Sequence, residues 1–170
     1  MTKLWSHWPL IVLCAACASQ AAPVVTGKRA SEPCPSFAGS GLSEAAAARM
    51  AGASNLLEYE NIWKETHPGS STGTISGAGV RSVIHSKLHQ LEACYQLALY
   101  DSREVAGRVV VRFVVNPSGR VATANISANS FGRSDIGCCV LARVAEWAFP
   151  APNADGFVVV EYPFNVRVSY

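Results

Sequence analysis

The chain has 170 residues, 15% of them charged, and a formal net charge of +2. That length holds one ordinary domain of about 100–150 residues together with an export signal and a tether, and argues against a two-domain enzyme. The basic side chains are scattered, with no run that would track a phosphate backbone, so nucleic acid is not an expected partner.

The first residues read as a targeting segment. Lys3 supplies a positive region, Pro9-Leu10-Ile11-Val12-Leu13 an apolar one, and Ala15-Ala16-Cys17 a small-residue exit. A membrane span needs about 20 apolar residues, and this stretch is shorter and broken by Ser6, His7 and Pro9. Cleavage is therefore expected. The box before Cys17 resembles that of bacterial lipoproteins, with Cys14 in the place usually held by Leu. The resemblance implies a signal over residues 1–16 and a lipid anchor on Cys17. Because Ala18 and Ser19 follow without an acidic residue, it also implies outer-membrane anchoring in the periplasm. An ordinary secretory signal cut between Ala18 and Ala22 is the alternative.

From residue 18 to about residue 41 the chain is rich in Ala, Pro, Ser and Gly, with too few large apolar residues to offset chain entropy; it reads as a tether. Ser43 is placed to cap a helix running from Glu44 past Leu56 and Leu57 to Trp63, with Gly52 and Asn55 as its weak points. His67-Pro68-Gly69 and Gly77-Ala78-Gly79 mark a second flexible link. The expected organisation is a tether with a short helix over residues 17–79 and a domain over residues 80–170.

Beyond Gly79, Ile84, Leu88, Leu91, Tyr95 and Ala98 recur at helical spacing, the stripe of a helix of about five turns with Cys94 beside it. From Arg108 the period changes to two. Val109, Val111, Phe113 and Val115 point one way, Arg108 and Arg112 the other, as in a half-buried strand. Asn116-Pro117-Ser118-Gly119 is a turn, with Pro preset at its second position, and residues 120–128 return antiparallel as a hairpin. Asp135 is expected to cap a second helix with Ile136, Val140, Val144 and Trp147 inward, stopped by Pro150 and Pro152. Val158, Val160, Tyr162, Phe164, Val166 and Val168 alternate along the last strand, which Pro163 assigns to a sheet edge or a bulge. The order helix, strand, strand, helix, strand predicts an α+β domain, an antiparallel sheet packed on two helices.

Export to an oxidising compartment lets disulfides persist. Of the six cysteines, Cys14 leaves with the signal and Cys17 is taken by the lipid under the lipoprotein resemblance, so Cys34, Cys94, Cys138 and Cys139 remain, with three pairings open to them. Cys94 and Cys139 each flank an inward stripe and are expected to be joined, a cross-link typically worth about 2–4 kcal/mol. Cys138 either joins Cys34, pinning the tether to the domain, or is a buried thiol. His85 and His89 have the spacing of a shared metal site, but no third ligand and no H-E-x-x-H frame accompany them. They read as a polar helix face. No Gly-x-Ser-x-Gly turn is present, and Trp147, Phe149, Tyr162 and Phe164 read as core aromatics. Neither catalysis, a metal nor a cofactor is expected.

Cys94-Tyr95, Gly107-Arg108-Val109-Val110-Val111, Pro117-Ser118-Gly119-Arg120-Val121, Cys139-Val140, Trp147-Ala148-Phe149-Pro150-Ala151-Pro152 and Tyr162-Pro163-Phe164 occur in this order. Over residues 80–168 the set resembles the AgmX/PglI C-terminal domain family, a branch of the TonB C-terminal-like domains. The resemblance implies a TonB-like fold in the periplasm and a role in envelope transport, energy transduction or gliding motility. The membrane helix and long Pro-rich spacer of TonB-type transducers are not visible in this sequence, which favours a lipid-anchored binding or adaptor protein. A structural envelope lipoprotein and a secreted enzyme are the alternatives. TonB-like domains engage partner peptides by adding a strand, which implies an envelope protein or peptide as partner. Its contacts are expected on the last strand, at Phe157, Val159, Glu161, Asn165 and Arg167, the face not given to the core. The competing expectation is an edge closed by the chain's own N-terminal segment or by a second copy.

Overall fold

The computed structural model describes residues 34–39, 42–99 and 104–169. The signal and lipid-anchor expectations, Cys17 included, lie outside the described residues. In chain order the elements are strand β1 (Phe37–Ala38), helices α1 (Glu44–Gly52), α2 (Leu56–Thr66), α3 (Gly77–Lys87) and α4 (Glu92–Leu99), strands β2 (Glu104–Val115) and β3 (Val121–Asn129), helix α5 (Ser134–Ala145) and strand β4 (Val158–Ser169). The fold is α+β, with a four-stranded antiparallel sheet in the order β1-β3-β2-β4.

Ser43, Asn55 and Ser76 accept hydrogen bonds from the backbone N–H groups of Ala46, Glu58 and Gly79, and so start α1, α2 and α3. The single helix expected from Glu44 to Trp63 is therefore two, because the chain leaves the helix after Gly52 and Asn55 opens a new one. The five-turn helix is also interrupted: Leu88–Leu91 form a 3₁₀ turn between α3 and α4. Tighter winding, about three residues per turn, shifts the phase of the stripe. Ile84, Leu91, Cys94 and Tyr95 stay inward, whereas Leu88 is 42% exposed. Asp135 sits in the first turn of α5 and Arg133 at its cap. The Arg133 guanidinium, 2.6 Å away, holds the Asp135 carboxyl below its usual range.

The hairpin turn forms as expected, with Asn116 Oδ1 accepting from the N–H groups of Ser118 and Arg120, and Gly119 at φ +77°. β2 begins at Glu104, earlier than the alternation from Arg108 implied. Gly107 fits inside the strand because the Phe131 ring occupies the space a Cβ would need, 2.6 Å from it.

Both faces of the sheet are covered. On one, Val109, Val111, Phe113, Val115 and Phe164 are buried with Ile84, Leu91, Ile136, Val140, Val144 and Trp147 from the α3–α4 and α5 side. On the other, Val114, Phe157 and Val159 pack with Met50, Tyr59, Ile62 and Trp63 of α1 and α2. Much of the expected tether is therefore structural: α1 and α2 form a second layer, and β1 pairs with β3 through Phe37↔Ala124 and Ala38↔Thr123. The sheet is not packed on two helices alone. Val110 and Val114, interleaved with the inward set, make a near-continuous apolar run of the kind that doubly covered strands carry.

Arg112, expected to face solvent, is 6% exposed. Its Nε and Nη2 donate to Glu161 Oε2 on β4 at 2.9 and 2.7 Å, and its Nη1 donates to the Ala53 carbonyl at the α1–α2 junction at 2.7 Å. The guanidinium also lies 5.8 Å from the Tyr59 ring centroid. One side chain thus ties β2, β4 and the helical layer together. Arg112→Ala is expected to lower stability by about 2–4 kcal/mol in urea unfolding, since it strands a buried carbonyl and a half-shielded carboxylate. Arg112→Lys should recover only part of the loss, because an ammonium cannot reproduce the planar fork. Unchanged stability in Arg112→Ala would mean that apolar packing alone holds the helices.

Candidate functional site

The sheet ends in two unlike edges. At the β3 side, β1 adds its two residues, Gly39 N–H donates to the Ala122 carbonyl at 2.8 Å, and Cys34 is bonded to Cys138 on α5. Cys139, the next residue, is bonded to Cys94 on α4, with the Cα atoms 5.6 Å apart. Neighbours on a helix point about 100° apart. Cys138 can therefore reach the edge segment while Cys139 reaches the opposing helix, and Cys138 is not a buried thiol.

At the other side β4 is the terminal strand among the described residues, where β2 is its one strand partner. Its first outward position is occupied by the chain itself: Phe157 N–H donates to the Ser71 carbonyl, and Gly73 N–H donates to the Phe157 carbonyl, at 2.9 and 2.8 Å. From Val158 to Ser169 the register with β2 runs without a shift. Backbone groups alternate between the two sides of a strand. Those of Val159, Glu161, Pro163 and Asn165 consequently point away from β2, and no described residue pairs with them. Pro163, which has no N–H, falls on this outward side, where a ladder bond is not broken by it.

The side chains of the expected partner face divide into two groups. Phe157 is 1% exposed and packs on Trp63, and Val159 is half-buried in the same cluster. Both are corrected from partner contacts to core, because α1 and α2 cover that end of the sheet. Glu161 is engaged by Arg112, while Asn165 and Arg167 are exposed. The sequence reading missed the opposite flank. There an open groove of about 390 Å³ runs beside β4, lined by Leu88, Glu92 and Tyr95 from the helical side and by residues 162–167. Leu88 and Glu92 are both exposed. Their i,i+4 spacing was legible in the sequence, but their meeting with β4 was not.

Burial pushes the phenols of Tyr59 and Tyr95 up to about 12. His67, expected in a linker, ends α2 and stacks on Trp63 with ring centroids 3.7 Å apart. His85 and His89 are exposed on α3 and the 3₁₀ turn. Among the described residues no group of three or more His, Cys, Asp or Glu is gathered to hold a metal, and no helix is long and apolar enough to cross a membrane. No protein-family model, curated protein or solved structure matches the chain.

Two outcomes test this site's framework. In a Cys34→Ser, Cys138→Ser chain, non-reducing peptide mapping should recover a single Cys94–Cys139 link, which the adjacent cysteines obscure in the parent. Removing that second link as well should cost up to about 4 kcal/mol, the chain-entropy value for a loop of this length. A phenol with a higher pKa folded than unfolded contributes its stability below about pH 10 and loses it as pH rises toward 12. Stability should therefore fall across that window, and less steeply in Tyr59→Phe and Tyr95→Phe; identical alkaline slopes would contradict the burial of both hydroxyls.

Proposed function

We propose that the chain is a periplasmic binding or adaptor protein, lipid-anchored at Cys17, that captures an extended segment of an envelope protein by adding it as a strand to β4. The observation carrying this reading is the β4 edge from Val159 to Asn165, whose outward backbone groups have no partner among the described residues. An edge of this kind offers main-chain hydrogen bonds for affinity, and the groove beside it offers side-chain selectivity. Two further observations support the reading. The opposite edge is occupied by β1 and held by a disulfide, whereas no described strand covers the outer side of β4. From α4 to β4 the helices and strands run helix, strand, strand, helix, strand, the order expected from the sequence for the TonB-like domain. On the same resemblance the partner belongs to envelope transport or gliding machinery.

Hydrogen exchange on the dilute chain tests the mechanism. The Val159, Glu161 and Asn165 amides should exchange fast in the free monomer and become protected when a strand-forming peptide is added. Protection already present in the monomer would mean that the chain closes its own edge, and strand addition would fail. Metabolic palmitate labelling that persists in Cys17→Ala would remove the anchor.

A further inference from the structure

Resting on the strand-addition reading, we propose that the β4 edge selects a cationic amphipathic strand, one that presents an apolar residue and, two positions along on the same face, a Lys or Arg. Two exposed residues, Leu88 and Glu92, stand on the helical wall of the groove. Leu88 lies in the 3₁₀ turn, is 42% exposed, and borders the groove with Tyr95 and Tyr162. Glu92 opens α4 and has neither an ion pair nor a hydrogen bond to any described residue.

Spacing connects them to a strand. Four residues at about 1.5–2.0 Å rise separate Leu88 from Glu92 by roughly 6–8 Å along the helical wall. Alternate side chains of an extended strand repeat at about 6.6 Å. A strand laid along β4 would therefore set one same-face residue against Leu88 and the next against Glu92. Apolar contact satisfies the first, and an unpaired carboxylate favours a cation at the second. The other face of the same strand would lie beside Glu161 and Asn165, a polar surface that demands nothing apolar.

The pattern also argues against a second copy of β4 as occupant. On one face β4 carries Val158, Val160, Tyr162, Phe164 and Val166, and on the alternate positions its one cation, Arg167, which also borders the groove, follows Asn165. Neither face offers an apolar residue two positions from a base.

The test uses the full chain and two nine-residue peptides. Each has Ser or Thr at odd positions; the even positions are Val, Val, Lys, Val in one and Val, Val, Glu, Val in its twin. The Lys peptide should bind about fivefold more tightly than the Glu twin, a preference that shrinks at high salt, and Glu92→Lys should invert the order. Leu88→Ser should weaken both peptides without changing their ratio. Glu44→Lys, a charge reversal at an exposed site on α1, should leave the ratio untouched. Edge amides protected equally by both peptides, or a ratio indifferent to Glu92→Lys, would overturn the selectivity and leave strand addition standing. Failure of either peptide to protect Val159, Glu161 and Asn165 would instead overturn strand addition itself.

Discussion

A strand that is apolar on both faces must be covered on both, and β2 is such a strand. Val109, Val111, Phe113 and Val115 face α3, α4 and α5, while Val110 and Val114 face the other way with Arg112 between them. Burying a charge among these residues is costly unless every donor is used. Arg112 offsets that cost with one bond from each of its three nitrogens, to Glu161 on β4 and to the Ala53 carbonyl between α1 and α2. The same contacts fix how the helical layer lies on the sheet and where β4 sits beside β2, so most of the architecture depends on how this one strand is enclosed.

With the Arg112–Val115 half of β2 enclosed on both faces, the sheet meets the outside along its rims and at the Arg108 end of its second face. Open rims invite unwanted pairing, and natural sheets blunt them with charge, proline or a covering segment. Here the two rims are treated differently. β1 covers the β3 side, and a disulfide secures it; the β4 side keeps Glu161 and Pro163 but no covering strand among the described residues. Residues 71–73 occupy only the position at Phe157. Among the described residues one rim is thus paired and cross-linked, while the other keeps outward backbone groups from Val159 to Asn165.

The adjacent cysteines of α5 carry this division covalently. Cys139 joins α5 to α4 within the main core, and Cys138 joins α5 to the segment leading into β1. Cys34, before β1, is thereby bound to α5, and through Cys139 to α4, rather than held by the short strand alone.

Local pattern was enough to determine the hairpin, the inward face of α5, the alternation of β4 and its edge position, because a period of two, a turn with Gly119 and a proline at 163 act through neighbouring residues. Cys94 and Cys139 were also legible, since each flanks an apolar stripe. Only the tertiary structure decided what covers the second face of β2. Val110 and Val114 signalled that something must, yet α1 is largely alanine and α2 interleaves its apolar residues with Glu, Asn and Lys, so both read as part of a tether until packed against Val114 and Phe157. That packing removed Phe157 and Val159 from the candidate surface. The turn at Leu88–Leu91 added Leu88 to it, because a change from α to 3₁₀ winding moves a side chain off the expected stripe without altering the hydrophobic pattern that announces it.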